Sequence, residues 1–361
     1  MSAPTIIMIT GALVGASCGL IGAWLVLRRL ALMGDAISHS VLLGIVVVFA
    51  LTHSRSPLLM TIGAGAVGLL TVVLVAWIQR TGLVKEDAAI GLVFPFLFGL
   101  GVVMISRFPS TVHIDVDAVL FGEIAYVPLY HLHLFGRDLG VQAFWTLGIM
   151  LAINILLVTL LYKEWKLSTF DAGFAAAVGI SPVVLHYLLM ATVSATTVLS
   201  FDAVGAVLVV AMLIVPAATA QLLTRDLPTL LLLSMGIGAS SSVIGYYVAR
   251  WIDGSVAGAM ATSLGVMFLV AFLVSPSQGV LARARGRARQ RREFLQELLV
   301  AHIASKPGGV TVNSLAQDFG WASATTEAAL RDATANRRIV ETKQGMLTVP
   351  STAEVIGRPG K

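Results

Sequence analysis

Two residues suited to metal binding stand four positions apart near the start of the chain, Asp35 and His39 in the stretch GDAISH (34–39). On an α-helix, residues at i and i+4 share one face, so the two side chains would lie together. A carboxylate and an imidazole on one face can both ligate a divalent transition metal. Two other interpretations are open: a mutual hydrogen bond, or polar residues at an interface beside Arg28 and Arg29.

The composition of the chain defines its class. The 361 residues are 57% hydrophobic and 12% charged, whereas a soluble domain has about 25% charged residues. This composition indicates a polytopic membrane protein. The single cysteine, Cys18, excludes a disulfide framework or a thiolate metal site within one chain.

Apolar runs long enough to cross a bilayer predict eight or nine transmembrane helices, and nine is the preferred number. Pro216 and the small residues after it predict a break in the run at 203–222. Basic residues mark the cytoplasmic side, and nine spans put the N-terminus outside and the C-terminus inside. The predicted spans are 5–27, 36–52, 57–79, 88–107, 143–162, 181–200, 203–222, 228–250 and 255–275.

The apolar surroundings of Asp35 and His39 favour the metal interpretation. Ionisable groups in a span are costly, face the interior of the helix bundle and usually mark a substrate path. One Asp–His pair supplies too few ligands for a closed site. Two-fold pairing of two chains would double the ligand number, and homo-oligomers are commonly two-fold.

A second informative stretch is KLSTFDAGFAAAVGIS (166–181). Its polar flanks and Ala-rich body predict a short helix between two spans, on the side marked by Lys163 and Lys166. An ordinary cytoplasmic loop would explain the charges but not the compact helical pattern that ends at Gly179.

The composition changes after Ser275. Residues 279–292 predict a basic linker with six arginines, which either binds anionic lipid or fixes the topology. Residues 293–361 carry seven acidic and seven basic residues, and predict three helices followed by a hairpin, the pattern of a winged helix. Because DNA-binding domains normally present a basic surface, we expect this neutral domain to have a regulatory or docking role and not to bind DNA.

Three stretches follow one another in an order that resembles a known family: RRLALMGDAISHSVLLGI (28–45), FDAGFAAAVGI (170–180) and VGAVLVVAMLIVPAATA (204–220). Together with KEDAAIGLVF (85–94), they are similar to the permease subunit of the manganese, zinc and iron ABC importers. The resemblance covers about residues 5–275.

This resemblance implies a homodimeric or heterodimeric permease core, two cytoplasmic ATPase subunits and an external metal-binding receptor. It implies that 167–179 is the coupling helix that seats in an ATPase groove, and that Asp35 and His39 coordinate the metal. The residues that match the coupling helix are Phe170, Asp171, Ala176 and Gly179. The domain at 293–361 is similar to the winged-helix domain of metal-dependent repressors of the diphtheria-toxin-repressor type.

The predicted fold is an all-α polytopic membrane protein with eight or nine transmembrane helices (1–278). The linker (279–292) joins it to a small cytoplasmic α+β winged-helix-like domain (293–361). The predicted function is the permease subunit of an ATP-driven importer in a bacterial plasma (inner) membrane, for Mn²⁺ first, then Zn²⁺ or Fe²⁺, without a permanently bound cofactor. The chain has no GxxxxGK[ST] phosphate loop, so it is predicted not to be an enzyme and a partner hydrolyses ATP. The alternatives are an ATP-independent secondary metal/proton transporter and a membrane-tethered metal-responsive regulator.

Overall fold

The computed structural model shows two compact units, Met1–Pro276 and Ser277–Lys361. The structure describes residues 2–53, 57–106, 124–134, 137–275, 279–306, 310–320, 323–336, 338–341 and 347–348.

The first unit is a bundle of long apolar helices. Within the described residues, nine helices are long and apolar enough to cross a membrane, which confirms the preferred number. Their lengths of 18 to 26 residues correspond to about 27–39 Å, matching a hydrocarbon core of about 30 Å. The nine are α1 (Ala3–Leu27), α2 (Ala31–Thr52), α3 (Pro57–Arg80), α4 (Glu86–Ile105), α5 (Gln142–Leu160), α8 (Pro182–Val204), α9 (Ala206–Leu223), α10 (Leu227–Ile252) and α11 (Val256–Val274).

Two shorter helices, α6 (Tyr162–Phe170) and α7 (Ala172–Ala177), connect α5 to α8. Before α5, a 3₁₀ turn precedes two antiparallel strands, β1 (His131–Leu134) and β2 (Arg137–Val141). The prediction of an all-α membrane part omitted this ribbon. The sequence HLHL of β1 alternates with the period of two that suits a strand, but it is too short to stand out beside long apolar runs.

Helix α1 lies at the centre of the bundle and packs against α5, α8, α9 and α10. Small residues allow this close packing, as is common between helices in lipid. A Cβ added at Gly15 would lie 2.3 Å from the carbonyl oxygen of Gly238 on α10. One added at Gly22 would lie 1.8 Å from the carbonyl oxygen of Leu213 on α9. Backbone therefore packs directly on backbone along one face of α1.

The predicted break at Pro216 was wrong. Helix α9 continues through Pro216, and the chain is interrupted at Gly205, between α8 and α9. Gly205 has φ +79° and ψ 168°, a conformation that a Cβ strongly disfavours. Membrane helices tolerate an internal proline because neighbouring groups satisfy the freed carbonyl, so the glycine and not the proline ends the helix here.

In the described residues of the second unit there are three helices, α12 (Val280–Ala304), α13 (Val312–Phe319) and α14 (Ser323–Ala335). Strands β3 (Val340–Glu341) and β4 (Leu347–Thr348) pair in antiparallel fashion, and Val310 bridges to Leu347. The core residues that the structure describes in this unit are Leu299, Ile303, Val310, Leu315, Ala329, Leu330, Ala333, Ile339 and Leu347.

Residues 279–292, predicted to be a linker, are helical from Val280 onward and continue into the rest of α12. Alanine and arginine are among the strongest helix formers, which explains why this segment extends the first helix of the unit.

Candidate metal site and docking surface

Asp35 and His39 both lie in the first three turns of α2, which begins at Ala31 and not at the predicted position 36. His39 Nε2 is 3.4 Å from Asp35 Oδ1. The His39 side chain is 33% exposed and that of Asp35 is 37% exposed, so the pair is accessible although it lies within a candidate membrane span. The spacing argument thus placed the two side chains correctly on one face of one helix.

Two aromatic rings of α4 flank the imidazole. The ring centroids of Phe94 and Phe98 lie 5.9 and 6.0 Å from that of His39, the first tilted by 30° and the second nearly perpendicular. These rings restrict the orientation of the imidazole. Sequence reasoning missed both residues, although their i, i+4 spacing in FPFLF was a usable sign of two rings on one helix face.

Close packing fixes the position of α2 itself. A Cβ at Gly44 would lie 2.3 Å from the carbonyl oxygen of Gly63 on α3, so these backbones touch. The hydroxyl of Thr71 on α3 donates a buried hydrogen bond of 2.7 Å to Ser40 Oγ, one residue after His39. The metal-binding candidates therefore project from a helix held on both sides, by α3 and α4.

The ligand number of this site is low. Among the described residues, no group of three or more His, Cys, Asp or Glu side chains could hold a metal ion. Protein sites for zinc usually have about four ligands and octahedral manganese sites about six. If Asp35 and His39 bind metal, they supply at most half of the ligands that such a site needs.

The segment predicted to be a single coupling helix at 167–179 forms two helices. Asp171 separates α6 from α7 with φ −148° and ψ 86°, and its Oδ1 accepts a 2.9 Å hydrogen bond from the backbone N–H of Phe174. An N-cap aspartate begins a new helix, so the Ala-rich pattern did not reveal the division. Helix α7 is followed by Gly179, which has φ +87°.

This segment presents an apolar surface. Phe170 is 63% exposed, and Phe174 and Val178 are each 57% exposed. We call these three residues the α6–α7 patch. Of the predicted coupling residues, Phe170, Asp171, Ala176 and Gly179 are all exposed in this unit.

Comparison with known proteins identifies the family. Residues 5–275 match the model of the ABC 3 transport family. The chain belongs to this family. The ABC 3 match covers all nine candidate spans from Thr5 onward, the Asp35–His39 pair and the α6–α7 patch, and it confirms the resemblance over about 5–275. It ends before the second compact unit.

The ABC 3 chain is similar along most of its length to curated proteins. It is 49% identical over 293 residues to the manganese transport system membrane protein MntD of Bacillus subtilis (strain 168), covering 81% of this chain and 99% of that protein. It is 40% identical over 299 residues to the zinc transport system membrane protein TroD of Treponema pallidum (strain Nichols), covering 83% and 81%.

A solved structure gives the same fold. The structure of PsaBC from Streptococcus pneumoniae in complex with Fab matches with a TM-score of 0.64 and 32% sequence identity, over 77% of this chain and 94% of that chain. A multi-pass ABC 3 membrane protein with a helical bundle is therefore the architecture of the first unit.

Proposed function

We propose that this protein is the permease subunit of an ATP-driven importer for a divalent transition metal ion in a bacterial plasma membrane. The observation that carries the proposal is the Asp35–His39 pair, 3.4 Å apart on one face of a candidate span, in a chain of the ABC 3 transport family. Family membership favours this function over a stand-alone secondary transporter or a tethered regulator.

The donor set supports manganese, zinc or ferrous iron as the transported substrate. Carboxylate and imidazole suit all three ions, and selection among them depends on geometry and on availability in the cell. Manganese comes first because the relative that is 49% identical is named for manganese transport. Zinc is next, since a relative at 40% identity is named for zinc transport.

The permease acts as a pair. One chain offers two ligands, and a second permease subunit, either a copy of this chain or a related one, would bring a second pair to the same ion. A two-fold arrangement places equivalent α2 helices opposite each other, which gives four protein ligands.

The chain transports and does not hydrolyse ATP. Separate cytoplasmic ATPase subunits bind the α6–α7 patch, since an exposed Phe170 and Phe174 beside a capped helix suit a hydrophobic groove. An external metal-binding receptor delivers the ion to the opposite side. No permanently bound cofactor is needed.

The second unit is cytoplasmic in this proposal and has a winged-helix-like fold, with regulation or docking as its role. The order of three helices and a β-pair, with Val310 bridging to Leu347, supports the fold. Six arginines between 283 and 292 begin within nine residues of the end of α11 at Val274, close enough for contact with anionic lipid headgroups. The balanced charge of 293–361 argues against DNA as a partner.

The test is metal uptake by the assembled transporter in liposomes. Asp35→Asn keeps the shape of the side chain but removes the charge that offsets a dication, and His39→Ala removes the nitrogen donor. Each should abolish most uptake of Mn²⁺, Zn²⁺ or Fe²⁺ without loss of ATPase binding. His53→Asn, at the exposed C-terminal end of the same helix, is the matched control and should import normally.

The mutants also separate a metal role from a structural one. Loss of the 3.4 Å contact between Asp35 and His39 can also loosen α2, so the thermal stability of each variant is measured alongside uptake. Parental uptake by both folded variants would show that the pair is structural, and the proposal would then be wrong.

A further inference from the structure

The guanidinium of Arg28 bonds to the segment that carries the α6–α7 patch. Arg28 is the residue that ends α1, and its Nε donates a 2.9 Å hydrogen bond to Thr169 Oγ1. Its Nη2 donates a 2.7 Å hydrogen bond to Ser168 Oγ. Both acceptors are in the last turn of α6, 140 and 141 residues later in the sequence.

These bonds set Arg28 apart from an ordinary topology-determining charge. Within the part of the chain that the structure describes, no carboxylate pairs with Arg28, and the two hydroxyls are its side-chain partners. Its neighbour Arg29 is exposed and makes no side-chain hydrogen bond to any described residue. A basic residue that only fixed topology would be solvated as Arg29 is.

Aromatic packing reinforces the same contact one turn earlier. Trp24 lies four residues before Arg28 on the same face of α1. Its ring packs edge-on against Trp165, at 5.7 Å between centroids, and against Tyr162, at 6.4 Å. Trp24 and Trp165 are fully buried, so packed aromatic side chains join the end of α1 to α6 beside the Arg28 hydrogen bonds.

The two partners of this contact, α6 and the end of α1, lie directly before the α6–α7 patch and the helix that carries the Asp35–His39 pair. After Thr169 come Phe170 and the Asp171 cap of α7, the start of the α6–α7 patch. After Arg28 the chain turns through Arg29, which has φ +64°, and Leu30 into α2. Asp35 follows within two turns of that helix.

We propose that Arg28 is a positioning residue that transmits displacement of the α6–α7 patch to the α1–α2 turn, and through it to the Asp35–His39 pair. This inference rests on the proposed function, in which an ATPase moves the patch. A forked guanidinium that holds two adjacent hydroxyls resists both sliding and rotation of α6 on α1. Movement of α6 would therefore carry the start of α2 with it.

The first experiment compares Arg28→Gln with Arg29→Gln in the full transporter reconstituted with its ATPases. Both variants remove one positive charge from the same turn, so any effect on membrane topology is matched. Metal imported per ATP hydrolysed should fall about tenfold in Arg28→Gln, inside the range of about 5–150-fold usual for coupling between sites. Arg29→Gln should keep the parental ratio.

Variants of Arg28 and of its two hydroxyl partners test whether these hydrogen bonds cause the effect. Arg28→Lys retains charge but cannot form the fork, so it should restore the ratio only in part. Ser168→Ala combined with Thr169→Val should reproduce the defect, and adding Arg28→Gln should cause no further loss, since all three changes break one interaction. Equal ratios in Arg28→Gln and Arg29→Gln would overturn the inference, as would a fall in uptake and hydrolysis in proportion to lost folded protein.

A second readout does not require metal to be the substrate. Asp35→Cys introduces a thiol on α2, and Cys18, the only native cysteine, is buried. Labelling of the new thiol by a soluble maleimide should change when ATP binds the complex, and Arg28→Gln should abolish that change while Arg29→Gln preserves it. An ATP response that persists in Arg28→Gln, or none in the parent, would refute transmission through Arg28. Failed metal uptake by the transporter with Asp35 intact, together with an intact labelling response in Asp35→Cys, would instead count against the proposed substrate.

Discussion

Replacing Gly238 by alanine tests the close contact between α1 and α10 that positions the centre of the bundle. The added Cβ would lie 2.2 Å from the carbonyl oxygen of Gly15. Carbon–oxygen contacts between helices are normally about 3.3–3.6 Å, so the two helices must separate by about 1 Å. Both contacting groups are backbone and cannot rotate away. Overpacking of this kind costs about 1–3 kcal/mol or more.

Gly236, two residues earlier on the same helix, is the matched control. No heavy atom lies within 4 Å of a Cβ built there. Gly236→Ala should therefore gain up to about 0.8–1 kcal/mol from helix propensity. Because Gly238→Ala gains the same propensity term, the two variants should differ by the overpacking cost of about 1–3 kcal/mol. The assay is the midpoint of thermal unfolding in detergent, which is measured as the loss of the monodisperse peak in size-exclusion chromatography after heating. Equal midpoints for Gly238→Ala and Gly236→Ala would show that α1 and α10 do not approach this closely.

Three further outcomes are expected. Asn154→Ala, which removes two buried hydrogen bonds to hydroxyls of α1 and α8, should cost about 1–2 kcal/mol in detergent unfolding, and an unchanged midpoint would contradict it. Phe170→Asp should detach the ATPases in a pull-down from membranes, whereas Leu83→Asp, at an apolar residue that is even more exposed, should not. Equal ATPase retention by the two variants would contradict the docking role. Lys306 and His302 hold the pKa of Asp318 below its ordinary value, so the stability they give is complete above about pH 4 and is lost as pH falls through the lowered pKa. Asp318→Asn should therefore flatten the acid dependence of hydrogen exchange in α12 and α13 of the full chain, and identical pH profiles would disprove the contribution.

The number of spans could be predicted from sequence because each needs only local information, an apolar run of the right length. The ends of the helices could not be predicted in the same way, because whether a proline, glycine or aspartate ends a helix depends on its backbone conformation and its neighbours in the fold. Pro216 fits inside α9, while Gly205 ends α8 through a backbone conformation that the sequence does not show. Asp171 is similar, because an aspartate can cap a helix or simply be solvated, and only the bond to the Phe174 N–H reveals which.

The metal-binding candidates could also be found locally, since i, i+4 spacing determines that Asp35 and His39 meet. Their surroundings could not. Phe94 flanks the imidazole from a helix more than fifty residues later, and Arg28 reaches Ser168 across 140 residues. Sequence analysis treats the basic residues beside spans as markers of the cytoplasmic side, because the positive-inside rule explains any such residue. Long-range partners distinguish a positioning charge from a topological one.

A site built from two ligands on each of two chains would have a simple consequence for release. Metal–ligand distances are tolerant to only about 0.2 Å, so displacement of one α2 helix by about 1 Å would break the coordination without any change of protonation. In the proposed mechanism that displacement enters through α6 and Arg28, whose two bonds lie within one turn of the α6–α7 patch. Close backbone packing of α2 on α3 at Gly44 and Gly63 makes such a movement a shift of packed helices and not a local bend. Each chain thus supplies two ligands, Asp35 and His39, from a helix that is packed tightly on α3. A small movement of that helix driven by ATP can therefore switch the two pairs of ligands between binding and release of the metal.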